Sequence, residues 1–152
     1  MAIRHILYCY RPGAHADAAL RVACRLAVRE EARLSVGIVR HTGPVPRGCC
    51  GISAAKWVEM LDDVDGDDAR QAQAIALSEE AAARVVILAG ASPSELISSY
   101  AQGEQCDVIA VPARSRRPGG NPLSRRTMRH LRRLAGCEVM EVGRRQRSVP
   151  AT

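Results

Sequence analysis

The 152-residue chain lacks phenylalanine and nearly lacks lysine. Aromatic residues make up 3% of it, and Lys56 is the single lysine among 22 basic residues. A core built from this sequence therefore has to be aliphatic. No apolar run approaches the roughly 20 residues that a bilayer-spanning helix needs. The N-terminal segment MAIRHILYCY is typical of a strand and not of a signal peptide. We therefore predict a cytoplasmic protein that has no contact with a membrane.

Motifs for catalysis and cofactor binding are also missing. The sequence contains neither GxxxxGK nor GxGxxG, so a P-loop and a dinucleotide fingerprint are excluded. The histidines have no convincing acid–base partner in the sequence. The acidic run at 62–68 lacks the register and the final glutamate of a calcium loop, and we interpret it as a solvated turn that kinks or interrupts a helix. These absences predict no enzymatic activity.

The cysteines do not form a metal-binding pattern. Cys49 and Cys50 are adjacent in a glycine- and proline-rich loop, where they cannot easily supply two ligands to one tetrahedral ion, and no CxxC completes the set. In a cytoplasmic chain, disulfide bonds are not expected. We predict no metal site, and we interpret the remaining cysteines as small buried hydrophobic residues: Cys9, Cys24, Cys106 and Cys137.

Positive charge is concentrated at one end of the chain. Through Val111 there are 11 basic and 14 acidic residues, whereas from Pro112 onward there are 11 arginines and only 2 glutamates. No acidic residue lies between Ala113 and Cys137. A net excess of nine positive charges in the last quarter of the chain points to an anionic partner for that segment.

Hydrophobic periodicity predicts strands alternating with amphipathic helices. Such alternation indicates βαβ units and a parallel sheet covered on both faces. We predict one domain at 1–143 and a flexible basic tail at 144–152. The predicted strands are 3–10, 33–40, 84–90, 107–112 and 138–143. The predicted helices are 16–32, 93–102 and 124–135, together with a second helix that starts at Ser53, is broken at the acidic run and resumes at 69–83. The residues expected to be buried in the sheet are Ile6, Leu7, Val36, Ile38, Val86, Ile87, Val108 and Ile109.

Three segments together resemble the universal stress protein family. They are HILYCYRPGAHADAALRVACRLA near the start, GASPSELISSYAQGEQCDVIAV before the fourth strand, and RHLRRLAGCEVMEV at the last helix and strand. The resemblance covers Ile3 to Val142. It implies a Rossmann-like, three-layer α/β/α fold of the adenine-nucleotide α-hydrolase type, with five parallel strands in the order 3-2-1-4-5. It also implies a non-catalytic role in the stress response and a homodimer formed through the last strand, Glu138–Val142.

The sequence departs from the family at the nucleotide site. ATP-binding members end the first strand with an aspartate, and that position falls on Arg11. Their loop after the fourth strand has the pattern G-x2-G-x9-G-S/T, but here its glycines fall on Pro112, Ser115 and the pair Arg125–Arg126. Side chains at these positions obstruct a close approach of the backbone to a phosphate. We therefore predict no cofactor, and weak or no ATP binding in the family manner.

Arginines replace this glycine cradle, and they predict an anion site of a different kind. In the implied strand order, the crevice lies at the carboxyl ends of the first and fourth strands. Guanidinium groups would enter it from both sides, and hydroxyl and free N–H groups at the start of the last helix would complete it. The predicted small-anion site comprises Arg11, Pro112, Arg114, Ser115, Arg116, Arg117, Ser124, Arg125, Arg126 and Thr127.

A second interpretation assigns the charge to a docking surface. Arg125, Arg129, Arg132 and Arg133 recur at helical spacing, so several of them share one exposed face that could attract a nucleic acid or an acidic protein. No aromatic residue lies nearby for base stacking. A third interpretation is a solvated arginine-rich helix that has no binding role.

Overall fold

The computed structural model describes residues 2–11, 14–41, 54–113 and 123–143. In this part of the chain, five strands alternate with four helices, which confirms the predicted pattern, with boundaries shifted by no more than a few residues. The elements are β1 (His5–Tyr10), α1 (Ala14–Arg29), β2 (Arg33–His41), α2 (Ala54–Ser78), β3 (Ala83–Gly90), α3 (Pro93–Gly103), β4 (Val108–Pro112), α4 (Arg125–Leu134) and β5 (Glu138–Val142).

All strand pairs of the sheet are parallel, and the strand order is β3-β2-β1-β4-β5. β1 lies in the centre, where Leu7 is in register with Ser35 of β2 and with Ile109 of β4. Helices α1 and α2 pack on one face, and α3 and α4 pack on the other. The predicted fold class and strand order are therefore confirmed.

The core consists of two layers that alternate along β1. Ile6, Tyr8 and Tyr10 face α1 and α2, whereas Leu7 and Cys9 face α3 and α4. The Tyr8 hydroxyl donates a hydrogen bond of 2.9 Å to the carbonyl oxygen of Ala16, which satisfies a polar group that is otherwise fully buried. Apart from these tyrosines the core is aliphatic or small, as the composition predicts.

Two of the eight residues predicted to be buried are more accessible than expected. Val86 is half-buried, and Ile87 is 47% exposed. Both lie in β3, which occupies an edge of the sheet and, among the described strands, pairs only with β2. An edge strand is incompletely covered by the flanking helices. The strand order implied by the family resemblance places the third strand there, but its apolar run alone predicted burial. The other six residues are buried.

The predicted interruption of the second helix is wrong, because α2 runs unbroken through the acidic run. Asp65 is buried on the inner side of α2, where it forms an ion pair with Arg40 of β2. Ala69 and Ala72 continue the same stripe against the sheet. This packing outweighs the cost of about 1 kcal/mol for a glycine such as Gly66 in a helix interior.

Backbone strain occurs where the helices end. Glu31, Glu80 and Gln105 follow α1, α2 and α3 with φ of 53°, 57° and 54°. In each case the residue after it donates a hydrogen bond back to the helix, for example from Ala32 N to Ala27 O over 2.8 Å. Each of these three helices therefore ends in a left-handed residue that is not glycine, although this conformation favours glycine.

Candidate functional site

The last helix carries the most concentrated positive charge of the described chain. Met128 and Leu131 of α4 are buried, and the remaining sides of the helix are polar and exposed. We call its five exposed arginines the arginine face: Arg125, Arg126, Arg129, Arg132 and Arg133.

The guanidinium groups of the arginine face have no partner within the described residues, where none of them forms a hydrogen bond or an ion pair. Several arginines elsewhere are paired with carboxylates; Arg21 and Arg25, for example, both bind Glu79, at 3.2 Å and 3.0 Å. An uncompensated cluster of five positive charges raises the local electrostatic potential, and this potential favours an anionic ligand.

The start of α4 is capped by its own residues. Ser124 is the N-cap, and its Oγ accepts a hydrogen bond of 3.1 Å from the N–H of Thr127. The hydroxyl groups of Ser124 and Thr127 also contact each other at 2.9 Å. The Thr127 N–H is therefore already used, and the N–H groups of Arg125 and Arg126 remain without an intrahelical partner.

Two grooves run along α4. The α3–α4 groove has a volume of about 730 Å³ and the α4–β5 groove about 580 Å³, both within the range of small-molecule sites. Arg129 and Arg133 line both of them. The α3–α4 groove is lined by Ala91, Ser92, Pro93, Ser94, Arg126, Thr127, Arg129, His130 and Arg133. The α4–β5 groove is lined by Arg125, Met128, Arg129, Arg132, Arg133 and Glu141.

The wall of the α3–α4 groove is fixed by a contact between the two helices. Ser94 Oγ lies 2.7 Å from Nδ1 of His130, and the Ser94 side chain is buried. Ser92 is the N-cap of α3, but its side chain makes no capping hydrogen bond. The Ser92 hydroxyl lies 3.4 Å from Ser94 Oγ at the rim of the groove, a long contact that leaves it able to form further hydrogen bonds.

The crevice at the carboxyl ends of β1 and β4 holds other predicted site residues. His15 Nε2 donates a hydrogen bond of 2.5 Å to the carbonyl oxygen of Ala113, which joins the start of α1 to the end of β4. Pro112 ends β4 with its side chain fully buried. Arg11 is exposed and lies close enough to Asp68 of α2 to oppose the rise that burial causes in the pKa of that carboxyl.

The predicted site residues are therefore only partly brought together. Arg126 and Thr127 meet in the α3–α4 groove, Arg125 lies in the α4–β5 groove, and Arg11 lines neither groove. Pro112 and Ser124 also line neither groove. Four further predicted members lie outside the described residues: Arg114, Ser115, Arg116 and Arg117.

A buried ion pair at the carboxyl end of β2 was not predicted from the sequence. Nη1 of Arg40 lies 2.9 Å from Oδ2 of Asp65 and 3.3 Å from Oδ1 of the more exposed Asp62. Burial raises the pKa of Asp65, Arg40 opposes that rise, and Asp62 adds to it. The Nε of Arg40 and the Oδ2 of Asp65 are both buried without a hydrogen-bond partner, so the 2.9 Å contact between the two side chains is an ion pair and not a hydrogen bond. The signal in the sequence was the helical spacing of Asp65 with Ala69 and Ala72, which places this aspartate on the inner side of α2.

The cysteines of the described chain are free. Cys9, Cys24 and Cys106 are buried as predicted, whereas Cys137 is only half-buried. Burial raises the pKa of Cys9 to about 12 and that of Cys106 to about 11, so these thiols are protonated and unreactive at neutral pH. Cys49 and Cys50 lie outside the described residues. The part of the chain that the structure describes contains no cluster of metal-binding side chains.

A further cavity of about 600 Å³ lies at the amino ends of β1, β2 and β3. His5 Nδ1 donates to the carbonyl oxygen of Glu104 over 3.1 Å, so its Nε2 accepts the 2.7 Å hydrogen bond from the Ser35 hydroxyl. Both side chains are buried, and the two contacts satisfy both nitrogens of the His5 ring. This pair therefore stabilises the sheet at the amino ends of its strands, whereas parallel sheets bind ligands at the carboxyl ends.

Comparison with known families gives a match over nearly the whole described chain. The model of the universal stress protein family matches residues 2–143. A search of curated protein sequences finds no significant match. Among the described helices, none is long and apolar enough to cross a membrane.

Solved structures of universal stress proteins have the same fold as this chain. A universal stress protein family member from Burkholderia pseudomallei is 20% identical, with a TM-score of 0.72 over 93% of this chain and 97% of that chain. The universal stress protein UspA from Lactobacillus plantarum is also 20% identical, with a TM-score of 0.71 over 93% and 99%. A universal stress protein from Archaeoglobus fulgidus in complex with dAMP is 16% identical, with a TM-score of 0.63 over 93% and 99%. At these identities, the likeness concerns the fold.

Proposed function

Because this chain belongs to the universal stress protein family, we propose that it is a cytoplasmic, non-catalytic stress-response protein that binds a phosphate-bearing anion on its arginine face. The observation that carries this proposal is the set of five exposed guanidinium groups on α4, without partners in the described structure. Guanidinium groups are planar, permanently charged and able to bind two phosphate oxygens at once.

The same chemistry supports a binding role without catalysis. Arginine does not release its proton at physiological pH, so the arginine face can hold charge but cannot act as a general base. His130, the one titratable side chain among these arginines, contacts Ser94 through its Nδ1. The charged side chains of the arginine face are sufficient to bind an anion without any catalytic group.

ATP binding in the family manner is not part of the proposal. Arg11 stands where the family's nucleoside-contacting aspartate is expected, and Pro112 stands in place of the first loop glycine. The Pro112 side chain is buried, and His15 is hydrogen-bonded across the neighbouring crevice to Ala113. The prediction of an anion within the crevice itself, with Arg11 at its lip, stays a prediction.

Calorimetric titration with tripolyphosphate and with ATP tests the proposal. If the arginine face recognises phosphate charge alone, the two ligands bind with affinities within about threefold of each other. Replacing Arg129, which lines both grooves, by glutamine weakens both by about tenfold, because a charge-assisted hydrogen bond is lost. The matched control is Arg29→Gln, which removes the same charge from the exposed end of α1. ATP binding that is tenfold tighter than tripolyphosphate binding and insensitive to Arg129→Gln would contradict the proposal.

Docking of a polyanion is the second candidate function. The observation that favours it is that the arginines line both grooves of α4, so the charge spans more surface than one small ligand covers. A duplex that contacts all five arginines would bind with a slope of log affinity against log salt concentration of about −4.5. A slope near zero, measured by fluorescence anisotropy between 50 and 200 mM salt, would exclude this alternative.

We also propose a homodimer through β5. β5 lies at one edge of the sheet and pairs with β4, so one row of its backbone groups has no strand beside it in the described protomer. An open edge favours pairing with another strand, and the family commonly pairs this one. Native mass spectrometry should show a dimer, and Met140→Arg, in the half-buried middle of β5, should shift it to the monomer. A wild-type protein that stays monomeric at tens of micromolar would contradict this assignment.

A further inference from the structure

We infer that the α3–α4 groove is a binding site for a phosphorylated sugar or polyol, and not for a nucleotide. This inference rests on the proposed anion-binding function and names its site and ligand class. The two walls of the groove differ in chemistry: α4 supplies positive charge, and the first turn of α3 supplies hydroxyl groups.

The charged wall suits the phosphate group. Arg126, Arg129 and Arg133 lie three and four residues apart, so they form one stripe along α4. All three are exposed, without ion-pair partners among the described residues, and they line the same groove. A terminal phosphate carries close to two negative charges and three free oxygens, which several guanidinium groups can share. The acidic residue on the first turn of α3, Glu95, lies in a separate small pocket beside the groove.

The opposite wall suits the sugar. The Ser92 side chain makes no capping hydrogen bond, and its one hydrogen bond among the described residues is a long contact of 3.4 Å with Ser94 Oγ, so its hydroxyl has capacity left for a ligand hydroxyl. Ser94 and His130 hold each other at 2.7 Å and fix the distance between the two walls. Thr127 adds a further hydroxyl from α4. Hydroxyl groups both donate and accept hydrogen bonds, as the groups of a polyol do.

The lining also disfavours a nucleobase. Among the described residues, the apolar ones that line the groove are Ala91 and Pro93, and none of the lining residues is Phe, Tyr or Trp. The single imidazole, that of His130, is hydrogen-bonded to Ser94. Nucleobases are usually held by stacking on aromatic side chains, and sites for drug-like molecules are mostly apolar. The volume of about 730 Å³ accommodates a hexose phosphate with its surrounding water.

Calorimetric titration of the full chain with glucose 6-phosphate, inorganic phosphate and AMP tests this inference. We expect glucose 6-phosphate to bind most tightly. Arg126→Gln should weaken its binding about tenfold. Arg125→Gln is the comparison within the arginine face and should weaken binding less than Arg126→Gln, because Arg125 lines the α4–β5 groove and not the α3–α4 groove. Arg29→Gln, at the exposed end of α1, is the matched control and should leave binding unchanged. Ser92→Ala should weaken glucose 6-phosphate binding and leave the binding of inorganic phosphate unchanged.

Any other result of these titrations would refute one part of the inference. If Arg125→Gln and Arg126→Gln weaken glucose 6-phosphate binding equally, the α3–α4 groove is not the binding site. The proposed anion-binding function of the arginine face would still stand. Tighter binding of AMP than of glucose 6-phosphate, or no effect of Ser92→Ala on glucose 6-phosphate binding, would refute the assignment of a sugar or polyol as the ligand. If neither tripolyphosphate nor glucose 6-phosphate binds, the proposed function fails together with the inference.

Discussion

Replacing Arg40 by methionine should destabilise the protein by leaving a buried carboxylate without its partner. Asp65 is 5% exposed, and its Oδ2 lies 2.9 Å from the Arg40 guanidinium. Methionine retains most of the aliphatic stem, so the substitution mainly removes the charge. Asp62 cannot replace the arginine, because it is itself a carboxylate at the same cluster.

The expected loss is about 3 kcal/mol. Breaking a fully buried ion pair by removing one partner costs about 3–5 kcal/mol. The lower end applies here, because the Arg40 side chain is 19% exposed and water screens part of the interaction. With a denaturant slope of about 2 kcal/mol per molar, the urea midpoint should fall by about 1.5 M.

The loss should also depend on pH. Burial raises the pKa of Asp65 above its ordinary value, and removing Arg40 removes the charge that opposes this rise. The folded state then binds a proton more readily than the unfolded state, so stability falls as pH rises through the raised pKa. Arg40→Met should therefore cost more at pH 8 than at pH 5.

Urea unfolding followed by circular dichroism at both pH values measures these effects. The double variant Arg40→Met/Asp65→Leu should recover most of the lost stability, because an apolar pair can replace a buried ion pair. Arg70→Met is the matched control, since Arg70 pairs with Asp67 on the exposed side of the same helix, and it should cost less than about 1 kcal/mol. A loss below about 0.5 kcal/mol for Arg40→Met, or a double variant as unstable as the single one, would refute the reasoning.

Three further predictions concern strain, packing and reactivity. Glu31→Gly should raise the free energy of unfolding by about 0.5–1 kcal/mol in urea titration, because Glu31 ends α1 with φ of 53°; a destabilised variant would contradict this. Gly143→Ala should lower the melting temperature by at least about 4 °C, because an added Cβ would lie 2.9 Å from Cβ of Ala19 at a φ of 83°; an unchanged melting temperature would argue against that contact. Cys9 should resist iodoacetamide at pH 8 until the protein unfolds, because burial raises the pKa of its thiol to about 12; mass spectrometry showing rapid labelling of native Cys9 would oppose this.

The fold could be predicted because strand and helix periodicities alternate along the chain. The central position of β1 followed from the family resemblance, and its uninterrupted burial agrees with it. The exposure of Ile87 was missed although the same strand order places β3 at an edge of the sheet, because Ile87 was assigned to the core from the apolar run of its strand. The continuity of α2 was missed because the ion pair of Asp65 with Arg40 joins residues distant in sequence.

The candidate site was predicted in composition but not in arrangement. The run from Arg125 to Arg133 predicted a cationic helix, and the exposed arginines confirm it. The sequence grouped Arg125 with Arg126, whereas the structure places these neighbours in different grooves. The wall formed by Ser92 and Ser94 was not foreseen, because the packing of α3 against α4 depends on tertiary structure.

The location of the bound anion tests the central claim most directly. Backbone amide shifts should be followed by NMR while tripolyphosphate is added to the full chain. We predict the largest shifts along α4, Arg125–Leu134, and at the first turn of α3, Pro93–Leu96. Shifts confined to Arg11 and Ala113 would place the anion in the crevice between β1 and β4, and would contradict the assignment of binding to the arginine face.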